Sequence, residues 1–161
     1  MSLCLQVHCD WNAGWMRDCY GQQVLSQHMS KTISCSGTSM ATWDAALTYV
    51  HLVASELLSR RKCERNGVDQ GVHNYLVHSD VLGQALRAKD AGSVHTISNE
   101  EGWIIASSMM PDIRRDRAGR MVNNKGEVVA VVHQYDRHST MVNQLWGQYP
   151  WFSNNALSVK G

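Results

Sequence analysis

Thr32-Ile33-Ser34-Cys35-Ser36-Gly37 is a short β-prone run broken by a glycine, and a helical pattern begins a few residues later, near Thr42. In that pattern Ala46, Leu47, Val50, Val53, Ala54, Leu57 and Leu58 recur at spacings of three and four, with His51, Glu56 and Arg60 off the apolar face. Strand, tight turn and packed helix over Thr42–Arg60 are predicted. Before this stretch, the run Trp11-Asn12-Ala13-Gly14-Trp15-Met16-Arg17-Asp18-Cys19-Tyr20-Gly21 mixes turn residues with large aromatics, as a packed loop leading into a short helix would. After it, the charged segment Ser59–Gly67 ends the helix, and Val68-Asp69-Gln70 opens a second helix through His78 with Asp69 as its N-cap.

Beyond Gly92 the pattern turns to hairpins. Ser93–Ser98 and Trp103–Met109 flank Asn99-Glu100-Glu101-Gly102, and Arg120–Asn123 and Val128–Val132 flank Asn124-Lys125-Gly126-Glu127. Val128-Val129-Ala130-Val131-Val132 is apolar throughout, which predicts a central strand covered on both faces. Met141 through Tyr149 reads as a last helix stopped by Pro150. Helices and strands are therefore mixed, and the class is α/β or α+β, a mixed sheet flanked by helices.

The chain has 161 residues, enough for a single domain over 1–161 with a real core: 43% of residues are hydrophobic and 18% charged. A net charge of +1 without a basic block excludes nucleic acid as the main partner. There is no membrane-length apolar segment and no secretory signal pattern, so the chain reads as soluble, with its compartment open. Five cysteines, without a CxxC pair and with none beyond Cys63, fit neither a disulfide framework nor a zinc ribbon, and reduced structural thiols are expected. Six tryptophans share no repeat period and suit either core packing or a sugar-binding surface.

Three segments carry candidate chemistry. Gly37-Thr38-Ser39-Met40-Ala41-Thr42 resembles the serine-nucleophile motif of subtilase proteases. Only 38 residues precede Ser39, and the proline that normally follows the motif is replaced by Trp43, so a serine hydrolase using Ser39 is a secondary alternative to a simple tight bend. In Asn66-Gly67-Val68-Asp69-Gln70-Gly71-Val72-His73-Asn74-Tyr75, a carboxylate and an amide stand beside the free N–H groups of a helix start, suited to sugar hydroxyls or simply to capping. In Val131-Val132-His133-Gln134-Tyr135-Asp136-Arg137-His138, a histidine at the carboxyl end of a strand suits a divalent metal, with Asp136 and Arg137 placed for anionic groups. The eight histidines show no HxH or HxxxH spacing, so no all-protein metal cage is visible.

Taken in order, Trp15–Gly21, Ile33–Thr38, Gly67–Asn74 and Val132–Arg137 resemble the C-terminal half of a GT-A-type glycosyltransferase. The likeness is to uncharacterised algal, viral and bacterial glycosyltransferase-like proteins and, more distantly, to the glycogenin and lipopolysaccharide galactosyltransferase group. It spans about Trp11 to Leu145. The resemblance implies a partial GT-A fold on the acceptor side, acting on a nucleotide sugar and a carbohydrate or protein acceptor. It places Asp69 and Gln70 at the donor sugar and acceptor as catalytic groups. Ser36, Gly37, Thr38, Asn74, Asp136 and Arg137 line the cleft, and His133 completes a Mn²⁺ (or Mg²⁺) site. No Asp-x-Asp motif occurs in the chain, so the nucleotide-binding half is expected to be missing. The alternative of another class is a non-catalytic carbohydrate-binding or scaffold protein.

Overall fold

The computed structural model describes residues 9–59, 63–110 and 113–148. The chain divides into two compact units, Met1–Thr96 and Ile97–Gly161.

The first unit is helical: α1 (Asp10–His28), α2 (Trp43–Ser59), α3 (Val68–His78) and α4 (Val81–Ala88). α3 is the central element and packs against the other three, while α2 also meets α4. Buried Val68, Val72 and Leu76 recur on one face of α3 and join Leu82 and Leu86 of α4 in the core, with Tyr49, Leu52, Val53 and Leu57 of α2 against them. Met16 and Leu25 of α1 form a second cluster with Ile33 and Tyr75, and the rings of Tyr20 and Tyr75 stack at 3.9 Å.

Several expectations change here. The expected loop before residue 21 is most of a 19-residue helix that breaks at Gly21 (φ 82°, ψ 172°). Its buried positions mix Met16 and Leu25 with Asn12, Gly14, Cys19 and His28, a face that gives almost no hydrophobic periodicity. The thiols are not all reduced: Cys19 and Cys63 form a disulfide across 44 positions, Cys9 is also disulfide-bonded, and Cys35 is free. α2 starts at Trp43 as expected, but its core face is rotated. Ala45, Tyr49, Leu52, Val53 and Leu57 point inward, while Leu47, Val50, Ala54 and Leu58 are exposed. α3 spans Val68–His78 as read from sequence, yet its N-cap is Gly67 and Asp69 lies in its first turn. Thr32–Ser36 belongs to none of the strands, and α4 was not anticipated.

Two glycines fix α3. Gly67 has φ 92°, and a Cβ there would lie 2.6 Å from the Trp15 ring, whose Nε1–H donates to Asn66 O at 2.9 Å. A Cβ on Gly71 would lie 2.9 Å from the Trp15 backbone carbon, so α1 and α3 cross backbone to backbone.

The second unit contains β1 (Ile104–Ala106), β2 (Val131–His133) and α5 (Ser139–Gln148). The strands pair in parallel, Ile104 with Val131 and Ala106 with His133. The expected hairpin around Asn99 is therefore replaced by a turn, in which the Asn99 amide bonds both backbone groups of Ala106, at 3.0 and 3.2 Å. The Asn124–Glu127 turn does bring its flanks together, through an antiparallel bridge between Val122 and Val128. Val128–Val132 is not a doubly covered central strand, because Val128 and Val131 are both exposed and only two strands are described. Buried Asn123 organises this turn: its Oδ1 accepts the N–H groups of Lys125 and Glu127, each at 3.0 Å, and its Nδ2 donates to Glu101 O at 3.0 Å. α5 extends the expected Met141–Tyr149 helix back to Ser139. Tyr149 and the Pro150 stop lie outside the described residues.

The coarse reading of mixed helix and strand holds. No described helix is long and apolar enough to cross a membrane.

Candidate functional site

Ser34–Ser36 lies outside the described strands, so its backbone polar groups need other partners. The first two turns of α3 supply them, because Gln70, His73 and Asn74 stand at i, i+3 and i+4 on one face. Asn74 Oδ1 accepts Ser34 N–H at 2.8 Å, and Asn74 Nδ2 donates to Ser34 O at 3.2 Å and to Gln70 O at 2.8 Å. Gln70 Nε2 donates to Ser34 O at 2.5 Å, and its Oε1 accepts Ser36 N–H at 2.9 Å. Two side-chain amides thus do for this segment what a neighbouring strand would do. Asn74 is 1% exposed, so this pairing is sheltered from water.

The outer edge of the network is polar and open. Ser36 Oγ lies 3.1 Å from Asp69 Oδ2 and 3.1 Å from Gln70 Oε1, and its single proton serves one of these acceptors at a time. Asp69 is exposed in the first turn of α3, where the helix N-terminus favours negative charge. Gly37 is exposed and Thr38 half-buried in the segment that follows. Of the residues singled out from sequence, Ser36, Asp69, Gln70 and Asn74 are brought into one hydrogen-bonded group.

His73 and Tyr49 were missed as members of this group. The i, i+3 spacing from Gln70 was the available signal for His73. Its Nε2 is 2.9 Å from Ser34 Oγ, and its Nδ1 is 2.8 Å from Tyr49 OH. Burial pushes the His73 pKa down to about 4, with His78 acting the same way and Asp69 opposing, so the ring is neutral at pH 7. Burial first, then Asp69 and Cys35, pushes the Tyr49 hydroxyl up. Serine, imidazole and phenol are connected like a nucleophile, base and orienting group. However, the third member is an un-ionised phenol, and both backbone groups of Ser34 are already engaged by Asn74 and Gln70. The arrangement anchors a loop. Ser39, the earlier nucleophile candidate, is exposed in the segment ahead of α2, and that helix opens on exposed Trp43 and does not start buried as the subtilase pattern requires.

His133, Asp136 and Arg137 belong to the second unit. His133 ends β2 half-buried, and its carbonyl accepts Ser107 Oγ–H at 2.9 Å. Asp136 and Arg137 sit in the turn Tyr135–Arg137 and pair at 3.6 Å, both largely exposed, a contact worth less than about 1 kcal/mol. The turn is set by Gln134 at φ 58° and by the His138 ring, whose Nε2–H donates to Ser107 O at 2.6 Å. Among the described residues no three His, Cys, Asp or Glu side chains converge as a metal site. A divalent ion at His133 would therefore lack three such side-chain ligands among the described residues and would have to complete its coordination with other donors.

Comparison with protein-family models, with curated proteins and with solved structures returned no match to this chain.

Proposed function

We propose that this chain is the acceptor-side portion of a GT-A-type glycosyltransferase, moving a sugar from a nucleotide-sugar donor to a hydroxyl of a carbohydrate or protein acceptor. The observation that carries this reading is the pair of acceptor oxygens, Asp69 Oδ2 and Gln70 Oε1, converging at 3.1 Å each on one hydroxyl at the start of α3. In the protein that hydroxyl is Ser36 Oγ, and a sugar hydroxyl has the same donor chemistry.

In this proposal Asp69 accepts a hydrogen bond from a sugar hydroxyl and orients it. Gln70 keeps the Ser34–Ser36 loop at the distance that admits the sugar, and Asn74 holds Gln70 in place. A manganese ion would neutralise the leaving diphosphate in the complete enzyme, with His133 as one of its ligands.

Isothermal titration with Mn²⁺ and a panel of nucleotide sugars tests this. A charge-assisted hydrogen bond of about 1.5–3 kcal/mol means that Asp69→Ala weakens donor or acceptor binding by roughly 10- to 100-fold. His133→Ala should remove the Mn²⁺ dependence. Folded protein that binds no nucleotide sugar overturns the reading. Binding of free sugar, indifferent to nucleotide and metal, would favour the carbohydrate-binding alternative.

A further inference from the structure

We propose that the hairpin at residues 114–120 binds a compact phosphate group, with Arg115 as its fixed positive charge. The chain's net charge of +1 hides a local excess, because Arg114-Arg115-Asp116-Arg117-Ala118-Gly119-Arg120 sets four arginines against one aspartate. An antiparallel bridge between Arg115 and Met121 closes the segment, and its turn has Gly119 at φ 80° with the Gly119 N–H on Asp116 O at 3.0 Å. The aspartate is fully engaged inside this turn. Its Oδ1 accepts the N–H groups of Ala118 and Arg120, each at 2.9 Å, and its Oδ2 pairs with the Arg120 guanidinium at 2.8 Å. Arg120 therefore matches the charge of Asp116, and the positive charges of the other three arginines remain.

Arg115 carries the inference. Its Nη1 donates to Gly119 O and its Nη2 to Gln144 Oε1 of α5, both at 2.7 Å, so the guanidinium is tethered from two sides. Both acceptors are neutral, and among the described residues no carboxylate meets it. A surface arginine held by an ion pair is neutralised by what holds it. Arg115 is oriented by neutral oxygens, so it keeps its whole charge and the cost of ordering it is already met. A guanidinium has five N–H donors, and two bonds leave Arg115 three. Arg117 stands at the first inner position of the same turn, exposed and without a side-chain partner among the described residues.

Charge and footprint select the ligand. A phosphate monoester carries close to two negative charges and three acceptor oxygens, enough for two guanidiniums at once, whereas one fork satisfies a carboxylate. A nucleic acid backbone is a line of charges that asks for an extended basic track, and a single turn does not supply one. An anionic lipid surface is held by basic residues beside an apolar anchor, and the tip residues Ala118 and Gly119 offer none. The phosphate is thus free or the terminal ester of a small molecule. This site lies in the second unit and does not rest on Asp69 or on the nucleotide-sugar reading.

The test is isothermal titration of the full chain at about 0.15 M salt, where exposed charges are screened beyond about 8 Å. The probes are inorganic diphosphate, glycerol 3-phosphate as an ester, and citrate as a carboxylate anion. Saturable binding of a phosphate probe is expected, with citrate roughly 10-fold weaker or more. Arg115→Ala should weaken phosphate binding on the order of 10-fold. Gln144→Glu should weaken it comparably, because it keeps the tether and places a carboxylate on Arg115. Arg17→Ala, at an exposed position of α1, removes the same single unit of charge and should leave the affinity unchanged. Arg115 and Gln144 are exposed, so both variants should keep the wild-type circular dichroism. Tighter binding of diphosphate would assign the site to the inorganic ion, and tighter binding of glycerol 3-phosphate to a phosphorylated small molecule; either supports it. No saturable binding of either phosphate probe overturns the proposal, as does citrate binding equally well, or Arg17→Ala weakening binding as much as Gln144→Glu.

Discussion

Replacing Cys19 and Cys63 together by serine should cost the first unit about 4 kcal/mol. The bridge joins positions 44 apart, and closing a loop of that length in the unfolded chain removes entropy worth about 4 kcal/mol at room temperature. It ties the middle of α1 to the segment that leads into Gly67 and α3, so the loss falls on the helix start that carries Asp69 and Gln70. With a denaturant slope of about 2 kcal/mol per molar urea, the unfolding midpoint should fall by about 2 M. The assay is urea unfolding followed by far-ultraviolet circular dichroism, comparing wild type with the Cys19→Ser/Cys63→Ser variant. Paired substitution is preferable to reductant because Cys9 is also disulfide-bonded. Equal midpoints, or peptide mapping that finds both sulfurs as thiols in unreduced protein, would refute the reasoning.

Gly71→Ala should destabilise the first unit by about 2 kcal/mol and lower its melting temperature, because the new methyl meets the Trp15 backbone at 2.9 Å and neither helix can retreat cheaply. Acidification acts through His73. The unfolded chain binds a proton near pH 6.5 and the folded chain only near pH 4, so stability is full above about pH 6.5 and falls as pH drops toward 4. The loss should reach about 3 kcal/mol, and His73→Gln should flatten that part of the stability–pH curve. Asn123→Ala leaves two backbone donors and a carbonyl of the Glu101–Glu127 turn without partners and should cost about 2 kcal/mol. Hydrogen exchange at Lys125 and Glu127 should accelerate.

α3 was legible from residue to residue because Val68, Val72 and Leu76 are aliphatic and regularly spaced. α1 was not, because its buried face mixes Met16 and Leu25 with Asn12, Gly14, Cys19 and His28, so the aliphatic residues are too few and too far apart to set a hydrophobic period. α2 was legible as a helix but not in its orientation: apolar residues surround most of it, and only tertiary contact decides that Tyr49 and Leu52 turn inward while Val50 and Leu58 do not. The Thr32–Ser36 run has the composition of a strand, but its backbone partners are Gln70 and Asn74 side chains more than 30 positions away, which no local pattern encodes. Asp69, Gln70 and Ser36 were each singled out from sequence, and their convergence follows from that same distant pairing. The Val128–Val132 run shows the opposite failure: apolar composition promised double cover, and the chain exposes Val128 and Val131.

Asp69, Gln70 and Gly71 are consecutive, yet each serves a different neighbour. The carboxylate faces water, the amide holds the Ser34–Ser36 segment, and the glycine lets the backbone of α1 come within contact. A pattern search keyed to Asp-Gln-Gly would accordingly detect a helix crossing as readily as a ligand. Chains that share the glycine but vary the aspartate would keep the joint while discarding whatever the carboxylate recognises. Covariation between the glycine and the bulk opposite it at Trp15 would then track architecture, and variation at Asp69 alone would track chemistry.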